Sequence, residues 1–464
     1  MPHNGAVGRR TLGGVVAILL VLTACGPSVP GTAGPSLDLI GAQIRQSTTS
    51  LVDPGFVDGA GEGEIDRLAA TVITDIGEFW EEAYPATFGS RWEEPRGGFH
   101  SVDPSDPAAG PPPCLDAASQ VEGNAYYCPG EDVIVWDRGA LLPVLTERYG
   151  AGAMMMVLSH ETGHAVQERS GIGRGRGGLY PPIVIEAMAD CYAGAFIRWV
   201  LDGNAEHLRL PESELDASLR ALITFRDPVG TDNRDSGAHG DAFDRVSAFQ
   251  DGFDGGPAPC AEITAQNRQF TQRAFTSAED EARGGNLELP ALLDALSADL
   301  GPYFTEALGA KGSGWTAPPV EQVAGDPSCG PQGAAAYCRD ENVVRVSTSG
   351  TVADIHARIG DYGAGTIVAS RYALGALGAA ALPLSGEQAQ RGALCLAGSY
   401  TGSLLEPRRD FTVSPGDLDE AVLVLLGYDY PARDIDGGAL SSGFDRVAAF
   451  RGGVVGGAAA CGLG

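Results

Sequence analysis

In the stretch VLSHETGHAVQERSG, residues 157–171, two histidines stand four positions apart and a glutamate follows the first directly. On an α-helix His160 and His164 fall one turn apart on the same face, so both imidazoles can chelate one zinc ion. Such an ion keeps an open position for water, and Glu161, on the adjoining helical position, suits the role of general base toward it. Two imidazoles leave a tetrahedral ion one protein ligand short. Further on, Glu186 and Asp190 are again four apart and share a face, 22 and 26 positions after His164.

These residues need two helices to hold them. From Gly152 to Arg169 the chain has no proline, opens on the apolar run Met154 to Leu158, and stops before SGIGRGRGG, which predicts a helix. A second helix is predicted over IVIEAMADCYAGAFIRWVLDG, with Pro181 and Pro182 at its start and Gly203 at its end. DVIVWD (132–137) and NVVRVS (342–347) are apolar and β-branched and predict strands. The expected fold class is therefore α+β.

With 464 residues, 44% of them hydrophobic, the chain can bury more than one core. A formal net charge of −29 repels phosphate backbones and anionic head groups, which excludes nucleic acid as a partner and direct electrostatic attraction to a membrane surface. At the N-terminus Arg9 and Arg10 precede an apolar run from Val15 to Leu22, too short to span a bilayer but suited to an export signal. The run ends in LTAC, which resembles a bacterial lipobox. Residues 1–24 are thus expected to be a lipoprotein signal peptide and Cys25 the lipidated first residue, anchoring the mature chain to the outer face of the cytoplasmic membrane. The Arg pair leaves Sec and twin-arginine export both open.

Nine cysteines less Cys25 leave eight, an even number that fits disulfides in an oxidising compartment. An internal repeat narrows their pairing. DIGEFWEEAYPATFGSRW (75–92) faces DLGPYFTEALGAKGSGW (299–315), YGAGAMMMV faces YGAGTIVAS, ADCYAGAF (189–196) faces ALCLAGSY (393–400), and AFDRVSAF (242–249) faces GFDRVAAF (443–450), in the same order. The simplest local and symmetric scheme joins Cys114 to Cys128, Cys191 to Cys260, Cys329 to Cys338 and Cys395 to Cys461. The expected organisation is a linker over 25–61, a first copy over 62–260, a second linker over 261–286 and a second copy over 287–464.

YYCPGEDVIVWD (126–137), SHETGHAVQ, EAMADCYAGAF and SGAHGDAFDRVSAFQDGF, in this order, resemble the bacterial neutral zinc metallopeptidase family. The resemblance covers most of the first copy, with Ala165 where the family often has a second His. It implies a zincin fold and peptide-bond hydrolysis by zinc-activated water. The ExxxD element resembles that of gluzincins, which makes Glu186 the third zinc ligand and Asp190 the acceptor of a hydrogen bond from the far nitrogen of one ligating histidine. A metzincin site would instead have Gly and His at 167 and 170, where this chain has Gln167 and Ser170. The family also implies that His239 stands near the cleft as an oxyanion donor.

The second copy has none of these groups. Read without gaps from YGAG, His160, Glu161 and His164 face Ala373, Leu374 and Leu377; aligned on Cys395, Glu186 and Asp190 face Gln390 and Leu394, and aligned on FDRV, His239 faces Leu440. The expectation is a degenerate copy in which the Asp244–Arg245 and Asp445–Arg446 neighbours are structural polar pairs. His100, His207 and His356 have no motif around them and are expected at solvated positions. The function expected from these residues is a membrane-anchored zinc metallopeptidase acting on a peptide or protein. The alternative is a zinc-binding or scaffold lipoprotein without turnover.

Overall fold

Glycine stands at an end of many of the helices, among them Gly89, Gly171 and Gly360, and two tight turns lead into the central strands. The computed structural model describes residues 37–172, 179–312, 314–406 and 409–463; the expected signal peptide and Cys25 lie outside them. In the N-terminal half, α1 (Leu37–Ser47) and the long α2 (Glu64–Phe88) precede β1 (Gly98–Val102), β2 (Ala125–Cys128) and β3 (Val133–Asp137). Then come α3 (Leu141–Tyr149), α4 (Ala151–Ser170), α5 (Pro182–Leu201), α6 (Glu212–Thr224), α7 (Ala242–Gly255) and α8 (Pro257–Ala261). A short α9 (Ala278–Ala282) leads to the C-terminal half, with α10 (Leu289–Leu308), β4 (Val320–Val323), β5 (Ala335–Cys338), β6 (Val343–Ser347), α11 (Thr351–Arg358), α12 (Asp361–Ala379), α13 (Glu387–Ser403), α14 (Asp417–Gly427) and α15 (Gly443–Ala458).

The result is an α+β fold with two small sheets. Their orders are β1-β3-β2 and β4-β6-β5, and in each the first strand runs parallel and the second antiparallel to the central one. The central strands β3 and β6 are β-branched and largely buried. Asp132 and Asn342 make the turns into them at φ 55° and 51°, a left-handed conformation that their short polar side chains tolerate.

Four disulfides join Cys114 to Cys128, Cys191 to Cys260, Cys329 to Cys338 and Cys395 to Cys461, the symmetric scheme expected from the sequence. Near Cys191 and Cys395 the helices touch backbone to backbone. A Cβ on Gly194 would lie 1.9 Å from Phe249 O, and one on Gly252 1.7 Å from Cys191 O; Gly398 and Gly453 meet Phe450 O and Cys395 O at 1.9 and 1.8 Å. Only glycine fits at these α5–α7 and α13–α15 crossings, which explains much of the string similarity between the halves.

Both stretches expected as linkers contain ordered structure. α1 buries Ile40 and Ile44, four apart, in the same apolar core as the rest of the N-terminal half. In the segment after α8, the Thr271 and Gln272 backbone N–H groups donate to Asp244 at 2.8 and 3.0 Å. Two of the solitary histidines are held by partners rather than solvated as expected, His207 Nδ1 meeting buried Asp75 at 2.6 Å and His356 Nε2 meeting Leu287 O at 2.8 Å, while the partly exposed His100 sits 3.5 Å from the exposed Asp58. Each ties together segments distant in sequence, an arrangement that local sequence does not encode. Among the described residues no helix is long and apolar enough to cross a membrane.

Candidate metal centre

α4 and α5 approach closely where the chemistry sits. A Cβ on Gly163 would lie 3.0 Å from Ala189 Cα, so glycine between the two histidines lets α5 come near. Glu186 on α5 then reaches His160 Nε2 with Oε2 at 3.2 Å and His164 Nε2 with Oε1 at 3.6 Å. The imidazole rings stand edge to face with centroids 4.9 Å apart. One ligand atom from each of the three residues lies within 4.8 Å of the others, and the group could hold a metal ion. Glu186 Oε2 is buried without a hydrogen-bond partner, although His160 Nε2 is so near. Two imidazole nitrogens and a carboxylate facing one another at these distances form a donor set that fits a cation.

Both rings are held so that Nε2 faces Glu186. His160 Nδ1 lies 2.7 Å from Asp190 Oδ1; an ionised carboxylate only accepts, so Nδ1 carries a proton, and in the neutral ring the lone pair is on Nε2. His164 Nδ1 lies 3.0 Å from Gln167 Oε1, and the Gln167 amide is oriented by its Nε2, which donates to Ile185 O at 2.6 Å. Asp190 has no solvent exposure, and Arg245 from α7 donates to both its oxygens at 2.8 Å. A third Arg245 bond reaches Phe225 O at 2.8 Å.

The charges are tightly linked. Burial alone would lower the His160 pKa, but Asp190, Glu186 and Glu161 outweigh it and push it up to about 10. His164 is raised as well, burial being overcome by Glu186. Glu186 is held well below the usual carboxylate range because His164 and His160 outweigh its burial, and Asp190 is lowered against its burial by Arg245 and His160. Burial raises Glu161, with the two histidines opposing. Without a cation, protons on the imidazoles balance the carboxylates; a divalent ion can replace them.

Glu161 lies in the same cleft, where its Oε2 accepts from the Tyr127 backbone N–H on edge strand β2 at 2.9 Å. The cleft has a volume of about 440 Å³, within the usual range for small-ligand sites, and its apolar lining includes Met156, Leu222 and Phe225. His239 lines it too. Its ring is half exposed, its backbone N–H donates to Asp227 Oδ2 at 2.7 Å, and its Nδ1 lies 3.3 Å from Asp227 Oδ1, which leaves Nε2 available to a ligand.

Of the six residues singled out in the N-terminal half, His160, Glu161, His164, Glu186 and His239 line one cleft, and Asp190 is buried behind it on His160 Nδ1. Gln167, Asp227 and Arg245 were not foreseen there. Arg245 does not pair with Asp244, nor Arg446 with Asp445. On a helix, consecutive residues point apart: Asp244 serves the Thr271 and Gln272 amides, while Arg446 donates to Leu425 O, Leu440 O and Ser441 O.

The matching position in the other half is filled. Gly150 and Gly360 both precede the central helix at positive φ, and Cys128 and Cys338 both end a strand, a constant offset of 210. This offset sets His160, Glu161 and His164 against Ser370, Arg371 and Leu374, three residues away from the ungapped YGAG match. Arg371 is fully buried, donates to Pro431 O at 3.0 Å and Gln332 Oε1 at 3.4 Å, and burial lowers its pKa to about 9. Where Tyr127 N–H meets Glu161, Tyr337 N–H meets Gln332 Oε1 at 2.9 Å. A buried cation at the Glu161 position makes this end of the C-terminal half unsuited to a metal. In comparisons with known proteins, no family model, curated protein or solved structure matches the chain.

Proposed function

We propose that the protein is an exported, lipid-anchored zinc metallopeptidase with one working site, built by a zincin-like N-terminal half, and that the C-terminal half is a degenerate copy of it. The observation that carries this is the His160–His164–Glu186 triangle with Glu161 beside it in one cleft. Two imidazoles and a carboxylate are the donor set of a catalytic zinc site. A bound zinc ion would polarise the scissile carbonyl and lower the pKa of water to about 7.

The chain's own groups then have defined tasks. Glu161, whose basicity burial raises, accepts the water proton and passes it to the leaving amine. Asp190 and Gln167 keep both histidines in the tautomer that presents Nε2. His239, steadied by Asp227, is placed to donate a hydrogen bond to the oxyanion. Repetition of sheet topology, glycine crossings and disulfides in the C-terminal half supports duplication.

The test is the zinc content and peptide cleavage of the ectodomain. Glu161→Gln should keep one zinc per chain and lower kcat by about 10²–10⁴-fold, while His160→Ala should lose the zinc. Stoichiometric zinc with no cleavage across a broad peptide library would refute the peptidase.

A further inference from the structure

Residues 226–241 join α6 to α7 and carry His239 along the cleft. A single side chain from the C-terminal half holds both ends of this segment. Asp419 on α14 accepts from Arg226 Nε through Oδ2 at 2.9 Å and from the Ala242 backbone N–H through Oδ1 at 2.7 Å. It is 3% exposed. Ala242 is the first residue of α7, so Asp419 satisfies a helix-end donor that has no partner within its own helix. Three residues on, Arg245 clamps Asp190. The chain of contacts thus runs from Asp419 through the start of α7 to Arg245, Asp190 and His160.

The capping is reciprocal. Asp216 on α6 accepts from the Gly443 and Phe444 backbone N–H groups at the start of α15, at 2.6 and 2.8 Å. Of the two capped helices it is α7 that leads to the cleft: among the described residues Arg446, at the place on α15 that Arg245 takes on α7, bonds backbone carbonyls.

We propose that the C-terminal half is a positioning scaffold for the cleft, with Asp419 as the positioning residue that fixes the 226–241 segment and the start of α7. This rests on the peptidase function proposed above. In Asp419→Ala the α4–α5 pair keeps its zinc, while amide exchange over 226–241 quickens. Binding of a dipeptide hydroxamate weakens in step, and kcat/KM for peptide falls by about 10- to 100-fold, the upper value being that for reacting groups displaced by about 1 Å. Arg226→Met removes one of the two bonds and should give a smaller change of the same kind, as should Asp419→Asn if the alanine variant does not fold. Asp216→Ala removes the mirror-image cap and serves as the control: it should lower the melting temperature without changing exchange over 226–241 or hydroxamate affinity.

Unchanged exchange and hydroxamate affinity in Asp419→Ala would overturn the proposal. So would equal losses in Asp216→Ala, which would mean general loosening. If the zinc-loaded wild type cleaves no peptide, the peptidase assignment fails, and exchange with hydroxamate affinity still decides the role of Asp419.

Discussion

Replacing Arg245 with Met tests the buried charge network at its root. Asp190 has no solvent exposure, and two of its hydrogen bonds come from Arg245 at 2.8 Å, the remaining one from His160 at 2.7 Å. Removing one member of a buried ion pair costs about 3–5 kcal/mol, because the other charge is left unpaired. Unfolding entropy of about 2.1 cal/mol/K per residue, taken over the compact unit Ser36–Gly464 of about 430 residues, gives about 0.9 kcal/mol per degree. Arg245→Met should therefore lower the melting temperature by about 3–6 °C, measured on zinc-free protein by calorimetry. Replacing both partners, Asp190→Leu with Arg245→Met, reproduces the leucine found at position 394 and removes the unpaired charge. The double variant should be more stable than the sum of the single losses predicts, by at least about 1.5 kcal/mol. Zinc affinity in Asp190→Leu should fall about 10–100-fold through loss of the His160 partner. Strictly additive losses in this cycle would refute the claim that Arg245 acts by compensating Asp190.

Because His160 is raised to about 10 in the zinc-free protein, its contribution to stability is complete below the unfolded value near 6.5 and disappears as pH rises through about 10. Denaturation midpoints of chelator-treated protein should fall across that window, and zinc uptake at neutral pH should release protons that a pH indicator can count. The Cys191–Cys260 disulfide closes a loop with a sequence separation of 69; Cys191→Ala with Cys260→Ala should cost about 4 kcal/mol by denaturant titration, on the chain-entropy account. Gly252→Ala places a Cβ 1.7 Å from Cys191 O, against backbone that has no room to yield. It should cost about 1–3 kcal/mol or more and push α5 from α7, lowering zinc affinity along with thermal stability.

Most of the candidate metal centre could be read from local pattern. The Pro-free run and the flanking glycines predict α4, spacing of four puts His160 with His164 and Glu186 with Asp190 on shared faces, and the repeated order of cysteines gives all four pairs. These features depend on helical periodicity and chain order, which are properties of the sequence itself. The register of the C-terminal helix was not accessible in this way. Tyr149 closes α3 before Gly150, whereas Tyr362 lies inside α12 after Gly360, so the same YGAG string occupies different places in the two halves.

Apart from Asp190, the groups that support the three candidate ligands were decided by tertiary structure alone. Gln167 is near His164 in sequence, but its role depends on Ile185 O in the next helix. Arg245 reaches Asp190 across 55 positions, and Asp419 reaches Ala242 across 177. Such partners are chosen by which buried donors and acceptors would otherwise be left unpaired once the helices have packed. That choice depends on the assembled interior, and no spacing along the chain encodes it.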